Sequence, residues 1–186
     1  MKQTVEKREP SGFIDYIALA LTTFGVGYIP GAPGTYGSAV GVVIYLCVAL
    51  ADTNAGIYLL AHRISVGQAT TLVWAVNAVL LTGFSLVGIW ASGRSIPLLG
   101  NSDPSAAVVD EVIGQLITFL FIPFGLGWPF ILAGFLLFRL FDIWKPYPID
   151  DLQVLPGGIG VCADDIVAGV YAGICLAVGY AVTLWI

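Results

Sequence analysis

The sequence is poor in the side chains that build most zinc and redox sites. Its 186 residues include one histidine and three cysteines, and the cysteines show no CxxC spacing: Cys47, Cys162 and Cys175. Zinc sites combine His and Cys at short, regular spacings, and disulfide frameworks need a patterned set of cysteines. The sequence therefore predicts neither, and the cysteines are interpreted as small packing residues.

Charged residues are equally scarce. They make up 10% of the chain, whereas hydrophobic residues make up 58%. This proportion lies far outside the composition of a soluble globular domain and indicates a membrane protein. The net charge of -5 also argues against nucleic acid as a partner.

What the chain has instead is a series of apolar segments. A helix needs about 20 apolar residues, or about 30 Å, to cross the hydrocarbon core of a bilayer. The fifth segment, 129–141, would rise only about 20 Å. We therefore expect the fourth and fifth to form a partly inserted hairpin. The segments cover 13–29, 36–51, 69–90, 108–122, 129–141 and 166–186.

These segments predict an all-α, polytopic membrane helical bundle with short or re-entrant segments and Gly/Pro-rich loops. We expect a polar N-terminal tail over 1–12 and a single membrane-embedded domain over 13–186.

The acidic residues collect in the polar stretches between the segments. Nine of the twelve acids lie beyond the first fifteen residues: Asp52, Asp103, Asp110, Glu111, Asp142, Asp150, Asp151, Asp164 and Asp165. If each segment crosses once, or if the fourth and fifth return together, all of these except Asp52 emerge on one face. His62 falls on the opposite face. Carboxylates at membrane boundaries are often simple helix caps, but their concentration on one face favours a single site.

Three motifs carry most of these acids. Asp110 and Glu111 open an apolar helix, and Gly114, one turn later, would let another backbone approach closely. In the last motif, a glycine-rich turn is expected to bring Asp164 and Asp165 to the start of the final helix. The small residues that follow at intervals of four predict close helix packing.

The remaining motif spaces a carboxylate between two cations. Arg139, Asp142 and Lys145 lie three residues apart, so they share a helix face if the helix continues to Pro146. On the simplest interpretation they are ion pairs that hold a helix end in the membrane interface. On the functional interpretation the aspartate binds a metal and the cations bind phosphate oxygens.

Clustered carboxylates are the hard oxygen ligands that Mg²⁺ prefers. The stretch PGAPGTYG is by itself an ordinary turn, although Thr35, Ser38 and its backbone amides could contact a phosphate.

Four stretches together, PGAPGTYGS, SDPSAAVVDEVIG, FRLFDIWKPYPI and LPGGIGVCADDIVAG, resemble the phosphatidylglycerophosphatase A family in order and separation. The resemblance spans about 19–173. It implies Mg²⁺-dependent hydrolysis of phosphatidylglycerophosphate to phosphatidylglycerol, in phospholipid biosynthesis at a bacterial inner membrane. The chain departs from its relatives across 94–100 and 150–156, so the resemblance assigns no role to Arg94, Asp150 or Asp151.

The same resemblance implies the site residues. The catalytic and metal-binding positions are Asp110, Glu111, Asp142, Asp164 and Asp165, and the cations Arg139 and Lys145 fall in the matched motif as phosphate-binding residues. Together with Thr35 and Ser38 they complete the predicted site.

Signatures of other phosphatases are missing. A cysteine phosphatase needs Arg six residues after its Cys, where this chain has Thr53, Ala168 and Ala181. Histidine-dependent membrane phosphatases need more than one histidine, and aspartyl-phosphate enzymes are expected to show a DxD triplet. Two other classes stay open: a small cation transporter or channel that uses the clustered acids, and a structural subunit with small-residue helix faces.

Orientation depends on the first segment. Lys2, Lys7, Arg8 and Arg63 favour a cytoplasmic location for their own face, which would put the acids outside if 13–29 crosses the membrane. We expect this segment to lie in the interface instead, with the acidic site at the cytoplasmic face.

Overall fold

The protein is seen in a computed structural model that describes residues 4–123, 125 and 127–185. Lys2, at the start of the predicted tail, and Ile186, at the end of the last predicted segment, lie outside the described residues. Seven α-helices make up the described chain: α1 Phe13–Thr23, α2 Pro33–Ala61, α3 Val66–Leu99, α4 Val109–Phe119, α5 Trp128–Trp144, α6 Ile149–Leu152 and α7 Gly157–Thr183. The predicted all-α membrane bundle is confirmed.

Three of these helices are long and apolar enough to cross a bilayer. They are α2, α3 and α7, with 29, 34 and 27 residues. At 1.5 Å per residue they extend about 40–50 Å, beyond the roughly 30 Å of a hydrocarbon core. Exposed aromatic residues mark both ends of the bundle, as is typical at membrane interfaces: Tyr16, Tyr28, Trp144 and Tyr147 at one end, and Tyr58, Trp128 and Trp185 at the other.

The helices α4 and α5 form the predicted returning hairpin. Helix α4 has only 11 residues and runs parallel to α2, since Gly37, Gly41 and Tyr45 of α2 meet successive turns of α4. Helix α5, with 17 residues, brings the chain back to the end where α4 began. Both helices pack against α7.

The chain that contains helix α1 also enters the bundle and returns to the same end. It has 11 residues, about 17 Å, too few to cross. The tail before α1 pairs with the end of α3, where the Arg8 amide donates to the Pro97 carbonyl at 3.0 Å. The chain after α1 passes through a short 3-10 turn, Val26–Tyr28, and reaches the start of α2 at the same end. We call this end, which holds the starts of α2, α4 and α7, the cleft end.

Several sequence-based boundaries were wrong. The second apolar segment was expected to end at residue 51, but α2 continues to Ala61. The stretch PGAPGTYG is not only a turn, because α2 begins at Pro33, a residue suited to a first helical position. The predicted polar stretch 91–107 is helical as far as Leu99 and includes Pro97. The turn before Asp164 and Asp165 is also helical: α7 begins at Gly157, which places the pair two turns inside the helix.

Candidate active site

A cleft of about 770 Å³ opens at the cleft end of the bundle. Seven of the nine predicted site residues line it: Asp110, Glu111, Arg139, Asp142, Lys145, Asp164 and Asp165. They come from α4, from the end of α5 and from α7. The predicted common face for these acids is therefore observed.

The other two predicted residues lie behind the cleft wall. Ser38 is fully buried, and its hydroxyl donates to the Gly34 carbonyl at 2.9 Å, within its own helix. Thr35 does not line the cleft, whereas its neighbours Pro33 and Gly34 do. A phosphate-binding role for Thr35 and Ser38 stays a prediction. In this part of α2 it is Gly34 that lines the cleft.

Close packing of α4 against α7 brings the acids together. A Cβ atom placed on Gly114 would lie 2.6 Å from the Asp165 carbonyl oxygen, and one on Gly169 would lie 2.4 Å from the Gly114 carbonyl oxygen. Only glycine allows two helices to approach this closely. The predicted close approach at Gly114 and the predicted small-residue contact in α7 are both confirmed.

Asp110, Glu111 and Asp165 form the innermost group. One carboxylate oxygen from each lies within 4.8 Å of the others. Asp110 Oδ1 and Glu111 Oε2 are buried, and neither has a hydrogen-bond partner among the described residues. Buried carboxylate oxygens normally have partners, so these atoms are suited to bind a cation. We call Asp110, Glu111 and Asp165 the carboxylate triad.

The two other acids are paired with the cations. The Arg139 side chain donates from Nη1 to Asp142, and the Lys145 ammonium donates to Asp164 Oδ2 at 2.5 Å. Helix α5 ends at Trp144, and Lys145 turns out of it with φ 46° to reach α7. The expectation that Lys145 shares a helix face with Arg139 and Asp142 was therefore wrong, because the chain leaves the helix before Pro146.

The charges of the cleft are unbalanced. Six carboxylates line the cleft with two cations, because Asp103 joins the five predicted acids, and this leaves four formal negative charges if all the acids are ionised. Burial raises the pKa of Asp110 to about 6, assisted by the charge of Asp164. Burial and the neighbouring Asp110 also raise the pKa of Glu111 well above its usual value. A divalent cation would relieve both the burial and the repulsion, so the residues fit a metal such as Mg²⁺.

Lys145 stays charged despite its surroundings. Burial alone would lower the pKa of Lys145, but the hydrogen bond to Asp164 and the nearby charges of Asp165 and Asp142 raise it overall. Arg139 supplies the second cation of the cleft. Both cations are thus available to a phosphate that enters the cleft.

Helix starts add positive potential to the same cleft. Helices α2, α4 and α7 all begin there, and the positive end of a helix dipole favours anions. The start of α2 comes close because Gly34 has no side chain: a Cβ atom there would lie 2.4 Å from Glu111 Oε1 and 3.0 Å from Arg139 Nη1. Sequence reasoning missed Gly34, although the adjacent Pro33 is a helix-start signal that could have identified it.

A second missed residue lies beneath the triad. Gln115 is completely buried one turn after Glu111, and neither of its polar side-chain atoms has a hydrogen-bond partner among the described residues. The signal in the sequence was an amide within the apolar run VIGQLITF.

Comparison with known proteins agrees with this geometry. The sequence profile of the phosphatidylglycerophosphatase A family matches residues 19–180. Phosphatidylglycerophosphatase A of Haemophilus influenzae is 34% identical over 91% of this chain and 90% of its own. The Escherichia coli protein of the same name is 33% identical over 84% of this chain and 80% of its own.

A further relative carries a different name. A Bacteroides thetaiotaomicron protein, provisionally named a phosphatidylinositol-3-phosphatase, is 37% identical over 84% of this chain and 89% of its own. No solved structure matches this chain.

Proposed function

Because this chain belongs to the phosphatidylglycerophosphatase A family and is a phosphatase, we propose that it hydrolyses phosphatidylglycerophosphate to phosphatidylglycerol and phosphate, with Mg²⁺, in phospholipid biosynthesis. One observation carries the proposal. The carboxylate triad, with its two unpartnered buried oxygens, lies in the same cleft as Arg139 and Lys145. A metal site beside two phosphate-binding cations is the arrangement that phosphate-ester hydrolysis needs.

The triad is proposed to hold the metal. When bound, Mg²⁺ would neutralise phosphate oxygens and lower the pKa of a water molecule for in-line attack on phosphorus. That Asp142 and Asp164 also bind metal stays a prediction. In the structure they hold Arg139 and Lys145 in position, so orienting these cations is the role that the contacts support.

Arg139 and Lys145 are proposed to bind the phosphoryl oxygens. The ion pairs with Asp142 and Asp164 fix the two cations before substrate arrives, which lowers the cost of ordering them. We assign no covalent nucleophile to this chain. A trapped phospho-enzyme, or solvent oxygen incorporated into a carboxylate, would overturn attack by water.

The acids do not form a path through the bundle. The acids that line the cleft all lie at the cleft end of the bundle. Asp52, in the far half of α2, is separated from them and accepts a hydrogen bond from Asn77 at 2.7 Å. A transporter would need polar groups along the membrane depth. The geometry therefore favours hydrolysis over a cation transporter or channel.

The placement of charges supports a cytoplasmic cleft. Arg8 and Arg94 lie at the cleft end, where both bind Asp15, and Lys7 packs on Gly100. The opposite end, at the turn between α2 and α3, holds Arg63. By the positive-inside rule we propose that the cleft faces the cytoplasm of a bacterial inner membrane.

The test is phosphate release by the purified protein in detergent or nanodiscs. The substrates are phosphatidylglycerophosphate, phosphatidic acid and phosphatidylinositol 3-phosphate, the last because of the Bacteroides relative's name. We expect phosphatidylglycerophosphate to be preferred, and EDTA to abolish release until Mg²⁺ is restored. Release that does not need metal would overturn the metal site, and a preference for another substrate would overturn the proposed specificity.

Three variants test the residues. Asp142→Asn and Asp165→Asn should each lower kcat/KM on the order of 10²–10³-fold, since each removes a charge that binds metal or orients a cation. Asp150→Asn is the matched control, because this exposed carboxylate does not line the cleft and accepts a side-chain hydrogen bond from Gln153 alone among the described residues. Full activity in both Asp142→Asn and Asp165→Asn would exclude the proposed site.

A further inference from the structure

Gln115 is a buried amide that the protein fold does not use. It is 0% exposed, and both Nε2 and Oε1 lack hydrogen-bond partners among the described residues. Thr118, on the same helix and equally buried, donates to the Gly114 carbonyl at 3.0 Å. A buried side chain with four unsatisfied hydrogen-bonding positions is rare and requires an explanation, since an apolar residue would fill the same space at less cost.

The position of Gln115 points to Glu111. Gly37 of α2 lies against Glu111, and Gly41, one turn later, lies against Gln115, with hypothetical Cβ contacts of 3.2 and 2.8 Å to their Cβ atoms. The two side chains therefore occupy the same stripe of α4, one turn apart. Helical side chains lean toward the helix N-terminus, which directs the Gln115 amide toward Glu111.

The groups above Gln115 are also unsatisfied. Glu111 Oε2 and Arg139 Nε are both buried, and neither atom has a hydrogen-bond partner in the part of the chain that the structure describes. No hydrogen bond joins Gln115 to Glu111 directly within the described structure, and a water molecule makes three or four hydrogen bonds in such a polar interior. An amide donor, a carboxylate oxygen and a guanidinium donor are the partners that one water can satisfy together.

We propose that Gln115 is a positioning residue, which fixes the orientation of the Glu111 carboxylate toward the metal through one buried water molecule. The inference rests on the proposed metal site. Residues that orient metal ligands typically change metal affinity about 10–100-fold when they are removed. Gln115 would act on the metal through Glu111, without touching the substrate.

The test replaces the amide with an unbranched apolar side chain of similar size, Gln115→Met. Binding of Mn²⁺ to the purified protein is measured by electron paramagnetic resonance, without substrate, and thermal unfolding is measured without metal. We expect the Mn²⁺ dissociation constant to rise about 10–100-fold, while metal-free unfolding occurs at the same or a higher temperature. Thr22→Val, which removes a buried hydroxyl that is hydrogen-bonded to Ser95 of α3, should leave Mn²⁺ affinity unchanged.

The outcomes separate this inference from the proposed function. If the unsubstituted protein binds no Mn²⁺, both are overturned. If it binds Mn²⁺ and Gln115→Met binds it equally well, only the role of Gln115 is overturned. Gln115→Leu provides a smaller apolar replacement. If neither Gln115 variant folds, the residue serves stability, and the positioning role is excluded.

Discussion

At the scale of single residues, the chemistry depends on carboxyl groups that are hard to ionise. Asp110 has its pKa raised to about 6 by burial and by the charge of Asp164, and the pKa of Glu111 is raised by burial and by Asp110. A carboxylate binds metal only after it has lost its proton, so protons and metal compete for the triad. The protonated fraction of these carboxyl groups increases as the pH falls.

This competition predicts the pH dependence of metal binding. At pH 8 the pKa of Asp110 is exceeded by about two units, so a proton on Asp110 competes little with the metal. As the pH falls below about 6, Asp110 becomes protonated, and we expect the Mn²⁺ dissociation constant to rise at least about tenfold between pH 8 and pH 5. Mn²⁺ resonance titrations at several pH values measure it, with protein-free micelles as the control. An affinity that does not change down to pH 5 would contradict the raised pKa of Asp110.

The sequence predicted which residues line the cleft where a charged residue stood in an apolar stretch. The five acids, Arg139 and Lys145 were found because nothing but function or a helix end explains a charge at such positions. Gly34 and Gln115 were missed for opposite reasons. A glycine reveals its role only when the neighbour that approaches it is known, and an uncharged amide barely alters the hydropathy of its segment.

At the scale of helices, the site depends on the contact between α4 and α7. The backbones meet at Gly114 and Gly169, where an added methyl group would lie 2.4–2.6 Å from a carbonyl oxygen of the other helix. Asp110 and Asp165, which belong to the triad, lie one turn from these glycines on their own helices. Any increase in the separation of α4 and α7 therefore also separates the proposed metal ligands.

This contact predicts a paired effect of Gly169→Ala. The added methyl group should cost about 1–3 kcal/mol of stability through overpacking and lower the melting temperature by roughly 3–10 °C. It should also weaken Mn²⁺ binding, because Asp165 moves away from Asp110. Circular dichroism melting in detergent and Mn²⁺ titration measure the two effects.

Gly179→Ala is the matched control in the same helix. Nothing lies within 4 Å of a Cβ atom at Gly179, so the variant should keep its metal affinity and melt at an equal or higher temperature. Equal behaviour of the alanine variants at 169 and 179 would show that the α4–α7 contact does not set the geometry of the triad.

Helix existence was more predictable than helix length. Apolar segments and their order gave the spans and the returning hairpin, because bilayer thickness constrains them. The boundaries failed where polar or glycine-rich sequence is helical through packing. The stretch before Asp164 is such a case: Gly158 belongs to α7, and its hypothetical Cβ atom would lie 1.8 Å from the Ile89 carbonyl oxygen of α3. That contact between distant segments leaves no local pattern in the sequence.

At the scale of the whole molecule, the two ends of the bundle differ in the number of arginine and lysine residues that they carry. Asp15 is 1% exposed and accepts hydrogen bonds from Arg8 at 2.6 Å and from Arg94 at 2.7 Å. These ion pairs lower the pKa of Asp15 and fix the N-terminal tail to the cleft end. The parity of the segments in the sequence correctly gathered the acids. The sequence could not place the tail, because its fixation depends on a contact between residues far apart in the chain, Arg8 and Pro97.

The excess of basic residues at the cleft end predicts which end of the bundle a membrane-impermeant reagent reaches in intact cells. The exposed Cys47 and Cys175 are replaced by alanine, and the buried Cys162 is kept. One accessible cysteine is then introduced as His62→Cys, in the turn between α2 and α3, or as Asp151→Cys, in exposed α6 at the cleft end. A membrane-impermeant maleimide should label His62→Cys in intact cells and Asp151→Cys only in inverted membrane vesicles. This pattern would put Arg8 and Arg94 in the cytoplasm, as the positive-inside rule requires. The reverse pattern would place the cleft outside, and a substrate made in the cytoplasmic leaflet would then have to cross the membrane before hydrolysis.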